Sequence, residues 1–188
     1  MIVKNCTRCS LCTSRRNIVS GSGANSRIMF IGEAPGYTED RLSKPFIGKA
    51  GQMLEQFLDN CNFTRDTHYY ITNVVKCRPV SNRTPYPDEI SACLPYLEQE
   101  IAEVQPKIVV LLGNTALKAM FANPRLKVSL SRGIWLGKNK NIMCTYHPSH
   151  LIRNSLNEEL LLQVVDDFKM LVDKYRLLID LDHVVKYR

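Results

Sequence analysis

Apolar residues along this chain follow two rhythms. Short runs of consecutive apolar residues, rich in β-branched and aromatic types, occur in SRIMFIG, HYYITNVVK, KIVVLLG and NIMCTYH. Runs of that length, closed by Gly, Asn or Pro, predict fully buried strands. Between them the spacing changes to three and four. Positions 53, 54, 57 and 58 of GQMLEQFLDN and positions 90, 94, 97, 101 and 104 between Pro87 and Val104 each place apolar residues on one face. NTALKAMF and residues 157 to 178 do the same, so four helices are predicted, with Asn114 as an N-cap and HVVKYR as a basic tail. Strands alternating with helices predict an α/β fold: a central parallel four-stranded sheet with helices on both faces. No repeat, linker or low-complexity tract interrupts residues 1–188, so one domain is expected.

The strand ends carry the chemistry. In parallel sheets ligands bind beyond the carboxyl ends of the strands. Three polar segments fall at such ends here: GEAPG after the first run, Asn73 closing the second, and HPS after the last. Composition adds a partner class. The chain is 45% hydrophobic, as globular proteins are, and its net charge of +7 suits a polyanion. No apolar run approaches the ~20 residues of a membrane span. The opening MIVKNCTRCS lacks the apolar stretch of a secretory leader, so a cytoplasmic location with reduced thiols is expected.

Four of the seven cysteines form a pattern, Cys6-x2-Cys9 near the start and Cys77-x15-Cys93 in the middle. Only folding could bring the two pairs together. Four thiolates suit either a tetrahedral zinc or a cubane iron–sulfur cluster, and spacing does not choose between them. Cys12 reads as a spare third thiol in CxxCxxC. Cys61 and Cys144, each alone among apolar neighbours, read as small buried hydrophobes.

GEAPGYTED, PFIGKAG, YITNVVKCRP and YHPSHLIR, in that order and with the four cysteines, closely resemble the family 4 uracil-DNA glycosylases. The resemblance runs from about Cys6 to Arg153. It implies a monomeric enzyme that flips uracil out of DNA and hydrolyses its bond to the sugar, leaving an abasic site. It also implies a 4Fe–4S cluster on Cys6, Cys9, Cys77 and Cys93, carried by an N-terminal segment (6–12) and by residues 77–93. The rival reading is a catalytically impaired protein of the same fold that binds uracil-containing or abasic DNA.

The residue types suit that chemistry. The amide of Asn73 can donate to uracil O4 and accept from N3–H, whereas cytosine reverses both polarities. His147 would donate to O2 as negative charge gathers on the leaving base. Phe46 would stack on the flipped base. The resemblance gives GEAPG the task of holding the base and the attacking water. The water-activating aspartate of family 1 enzymes is replaced by Ala34, which leaves Glu33 and Asp40 as candidate carboxylates, Glu33 shaping the site. Glu39 matches a residue that crowds the 5-methyl of thymine. Ser149, Lys49, Arg83 and Arg153 are expected at phosphates, and Leu151 as a wedge in the gap left by the base. The loop RPVSNRTPYPDE lacks the histidine with which one subgroup traps DNA covalently, so turnover is expected.

Overall fold

The computed structural model describes residues 5–23, 27–65 and 67–186, with side chains to residue 180. Among these residues five strands form one sheet in the order β1-β3-β2-β4-β5. They are β1 (Ser22–Gly23), β2 (Ile28–Gly32), β3 (Tyr69–Asn73), β4 (Ile108–Leu112) and β5 (Ile142–Thr145). The four strands expected from the apolar runs are present and mutually parallel. The four-stranded sheet is corrected to a mixed one, because β1 adds to β3 antiparallel at the edge. β1 is two residues of GSG with no apolar signal to betray it. Gly23 holds φ +128°, and a Cβ there would lie 2.4 Å from the Tyr69 carbonyl oxygen. Only glycine allows so close a pairing.

Among the described residues seven α-helices follow in chain order: α1 (Tyr37–Leu42), α2 (Lys49–Asn60), α3 (Pro87–Val104), α4 (Asn114–Met120), α5 (Val128–Ser131), α6 (Pro148–Arg153) and α7 (Glu158–Lys186). α3 matches its apolar spacing end to end. Two expectations are corrected. The N-cap of α4 is Gly113 at φ +90°, and Asn114 instead accepts from the Val128 N–H at 2.9 Å. α7 continues to Lys186, so most of the expected tail is helix; Tyr187 and Arg188 lie outside the described residues. No helix among the described residues is long and apolar enough to cross a membrane.

Alternate residues of each strand feed two cores, one on each face of the sheet. Ile28, Phe30, Tyr69, Ile71, Val110 and Leu112 pack with Leu54 and Leu58 of α2, Leu151 of α6, and Phe168 and Leu171 of α7. Met29, Ile31, Val109 and Leu111 pack on the other side with Leu97 of α3 and Leu117 of α4. The chain therefore leaves β2 toward one face and β4 toward the other, and a crevice opens between their carboxyl ends.

The cysteine-bearing start is tied to this scaffold by buried polar groups. The Asp40 carboxylate accepts from the Arg16 and Asn17 N–H groups, and Val19 N–H donates to the Lys76 carbonyl. Glu89, whose side chain has no exposed surface, accepts from Ser10 Oγ, Tyr86 N–H and both terminal nitrogens of Arg83. Arg83 also lies over the Tyr86 ring, 3.7 Å from its centre. The Arg83 bonds, opposed by burial, pull the Glu89 carboxyl down to about 2 from 4.5. A carboxyl lowered on folding stabilises above its unfolded value and loses that effect as pH falls through the folded one. Arg83→Ala should thus lower the denaturation midpoint at pH 7, and the gap from the parent should close between pH 4.5 and 2. A gap constant over that range would contradict the pairing.

Candidate active site

The register of the sheet places Gly32 beside Asn73 at the end of β2 and β3. A Cβ on Gly32 would fall 2.4 Å from the Phe46 ring tip and 2.6 Å from Asn73 Oδ1. Glycine is required here because the ring and the amide converge on it. Asn73 is 2% exposed, and its buried Oδ1 has no hydrogen-bond partner among the described residues. That is unusual, because nearly all buried polar groups are paired. Phe46 sits in the left-handed region at φ +54°. Arg65 donates to the Pro45 and Phe46 carbonyls at 2.9 and 3.0 Å, and the Glu39 carboxylate accepts from Ile47 and Gly48 N–H at 3.0 and 2.6 Å. The loop under the ring is held from both sides, which sustains an otherwise disfavoured backbone. Glu39 is buried and therefore acts here as the brace of that loop.

His147 closes the opposite wall, its ring centre 5.8 Å from that of Phe46. It precedes α6 as N-cap. Its Nδ1 accepts from Ser149 N–H at 3.2 Å and lies 2.8 Å from Ser149 Oγ, which accepts from Arg153 at 3.2 Å. A nitrogen that accepts is unprotonated, so the hydrogen-bond network assigns the proton of the neutral ring to Nε2. Burial, with the Arg153 charge adding, pushes the imidazole down to about 4. The opposite side of Gly113 meets this histidine: a Cβ there would approach His147 Cβ to 3.0 Å.

Glu33 follows Gly32. Its Oε2 accepts from the Thr115 hydroxyl at the start of α4, a bond that spans the crevice between β2 and β4. Oε1 accepts nothing among the described residues. Asp40, the other candidate carboxylate, has both oxygens on the Arg16 and Asn17 N–H groups and is structural. Ala34 is half-buried against the second core. Sequence reading does not single out Thr115 or Arg65, and takes Gly113 only as the end of a strand. The GNT turn after β4 stands at a strand end, which was a usable signal for Thr115 and Gly113. Arg65 has no such signal.

The expected DNA contacts divide. Lys49 is exposed at the start of α2, and Arg153 is exposed on α6. Ser149 is brought to the site, but its hydroxyl is engaged with His147. Arg83 is committed to Glu89. Leu151 is corrected outright: it is 0% exposed, packed under α6 in the first core, and a side chain without surface cannot enter a base stack. HPSHLIR forms a helical turn rather than an open loop, which turns Pro148 and Leu151 inward and leaves Ile152, 38% exposed, facing out.

Cys6, Cys9, Cys12, Cys77 and Cys93 line one cavity. Arg15 donates to Cys77 Sγ at 3.6 Å and to the Cys6 carbonyl at 2.7 Å; Lys76 N–H donates to Cys93 Sγ at 3.2 Å. Burial, opposed by Arg15, pushes the Cys77 thiol up to about 12. Among the described residues no three metal-binding side chains are arranged to hold a single ion. Cys144 is buried and Cys61 half-buried against the first core, as hydrophobes would be. Nitrogen-15 NMR of the His147 ring should find Nε2 protonated and Nδ1 bare from pH 8 to 5, with a midpoint near 4. A midpoint near 6.5, or a proton on Nδ1, would contradict this geometry.

Residues 20–169 match the family described as the uracil DNA glycosylase superfamily. A type-4 uracil-DNA glycosylase of Thermotoga maritima is 40% identical over 178 residues, covering 92% of this chain and 92% of that protein. Another from Sulfurisphaera tokodaii is 40% identical over 176 residues, covering 89% and 79%. A type-5 uracil-DNA glycosylase of Pyrobaculum aerophilum is 27% identical over 199 residues, covering 86% of each. A family match over most of the chain and 40% identity across nearly the whole of it lead to one statement: the chain belongs to the uracil-DNA glycosylase superfamily and, within it, to the type-4 enzymes.

Proposed function

We propose that this protein is a monofunctional DNA repair glycosylase that hydrolyses the N-glycosidic bond of deoxyuridine, releasing uracil and leaving an abasic site. The observation that carries the reading is the unpartnered, buried Oδ1 of Asn73 between Gly32 and Phe46. It is an acceptor waiting for a donor, and the N3–H of a flipped uracil is one. The neighbouring Nδ2 would donate to O4. Cytosine offers an acceptor at N3 and a donor at its amino group, so both buried contacts would be mismatched.

His147 works on the leaving group. A neutral imidazole with its proton on Nε2 donates to O2 as negative charge accumulates there, and its low proton affinity keeps it neutral at physiological pH. Ser149 and Arg153 hold the ring in that tautomer. Glu33 holds the attacking water on the carboxylate oxygen that Thr115 leaves free, and Ala34 gives the base room beside it. Phe46 stacks on the flipped base. Lys49 and Arg153 meet phosphates, joined by the exposed Tyr37, which lies 5.1 and 5.7 Å from the Arg78 and Arg41 guanidinium carbons. Ile152, rather than Leu151, is the apolar side chain available to fill the gap in a duplex.

The cysteine cavity fits a 4Fe–4S cluster held by Cys6, Cys9, Cys77 and Cys93. All four line one cavity, with Cys12 as a fifth thiol beside them, and the Cys77 and Cys93 sulfurs already accept N–H donors, which suits sulfurs carrying negative charge. When bound, the cluster would cross-link the N-terminal segment to the loop after β3. The enzyme is taken to act as a monomer in the cytoplasm on uracil in single- or double-stranded DNA.

Incubation with a uracil-containing oligonucleotide, followed by alkaline cleavage, should reveal abasic sites. Asn73→Ala should slow single-turnover excision on the order of a hundredfold. An unchanged rate would remove Asn73 from base recognition. Leu151→Ala should cost about 2–5 kcal/mol of stability and affect both substrate forms alike. Ile152→Ala should instead weaken duplex excision selectively, since only a duplex needs its stack refilled. A duplex-selective defect in Leu151→Ala with Ile152→Ala silent would reverse that assignment.

A further inference from the structure

Lys76 stands three residues after Asn73 and directly before Cys77, and the chemistry described above makes no use of it. It is 1% exposed. Its ammonium donates to Glu100 Oε2 at 2.7 Å, Thr72 Oγ1 at 2.7 Å and the Asn73 carbonyl at 2.6 Å. An ammonium has three protons, and all are used. Glu100 is equally buried and accepts in turn from Thr72 Oγ1 at 2.6 Å and Gly21 N–H at 2.9 Å. The backbone of Lys76 faces the other way. Its N–H donates to Cys93 Sγ, and its carbonyl accepts from Val19 at 2.8 Å.

Stability does not account for such a pair. Burying two charges costs more than one attraction regularly returns, and well-packed apolar replacements often stabilise. The ammonium does what a methylene chain cannot: it grips the Asn73 carbonyl where the strand ends. Beyond that point the chain still follows β2, with Val74 N–H on the Gly32 carbonyl and Val75 N–H on that of Glu33. The Asn73–Val74 peptide is thus held at both ends, by Val74 N–H on the Gly32 carbonyl and by Lys76 on the Asn73 carbonyl, and with it the backbone that carries the Asn73 side chain.

We propose that Lys76, neutralised by Glu100, is a positioning residue for base recognition that couples the cysteine cavity to the Asn73 amide. The inference rests on the glycosylase reading for its consequence and on geometry for its content. Disturbance at Cys93 or Cys77 would pass through one residue to the base reader. Conversely, a correctly formed cysteine loop is a condition for an aligned Asn73.

The test removes both charges together, so that neither is left buried alone. Lys76→Met with Glu100→Gln should fold, keep the parental iron content and visible absorbance, and bind uracil-containing DNA with parental affinity. Its Asn73 side-chain amide resonances should shift, and its single-turnover excision should fall roughly 10- to 100-fold, the scale expected of a small misalignment. Unmoved amide resonances with parental excision would overturn the proposal, as would equal losses in iron and rate. Should the double variant not fold, Lys76→Arg decides by the same two readouts, since the longer side chain keeps the charge but displaces the Asn73 carbonyl. The resonances report on Lys76 even if the parent protein excises nothing, so failure of the glycosylase reading is separately visible.

Discussion

Leaving a buried amide oxygen without a partner costs about 1–3 kcal/mol, and none of the described residues pairs with Asn73 Oδ1. Much of the surrounding construction keeps it so. Gly32 supplies no side chain that could fill the space, and the Phe46 ring borders the oxygen with apolar surface that cannot donate. A group that brings an N–H or O–H donor to this oxygen relieves that cost. A site built this way discriminates strongly, because a base with the wrong polarity inherits the cost instead of removing it.

The scaffold serves that constraint through opposed departures. α2 and α6 lie on one face of the sheet, α3 and α4 on the other, so the loops after β2 and β4 part and leave a crevice. Phe46 and His147 come from the first face. Thr115 comes from the second, and its bond to Glu33 bridges the two. The strained backbone at Phe46 is stable because Arg65 and Glu39 fix the carbonyls and N–H groups on either side of it. Buried polar groups in this protein thus act as braces: Glu39 for the loop under Phe46, Asp40 and Glu89 for the cysteine-bearing start, Lys76 and Glu100 for the end of β3 at Asn73.

What the sequence revealed followed from signal length. β2 through β5 and α3 are legible because four or more residues carry one unambiguous rhythm. β1 is two residues held by the absence of a side chain, and α1 and α6 are six-residue turns hidden in motifs that read as loops. The site residues at strand ends were visible because topology dictates where ligands bind. Their division of labour was not. Glu33 and Asp40 look alike in sequence, yet one keeps a free oxygen and the other is consumed by the N–H groups of Arg16 and Asn17. Leu151 was misread for a related reason. Its place four after His147 suggested a wedge, but the helical turn of α6 rotates it into the core and presents Ile152. Position along a motif does not fix facing.

Asn73, Phe46 and His147 are the proposed seat of a flipped uracil. A structure of the protein with an oligonucleotide carrying an uncleavable fluorinated deoxyuridine tests it most directly. The base should lie against Phe46, with its N3–H on Asn73 Oδ1 and its O2 within hydrogen-bond reach of His147 Nε2. A base left in its stack, or seated away from Asn73 with Oδ1 still unpaired, would contradict it.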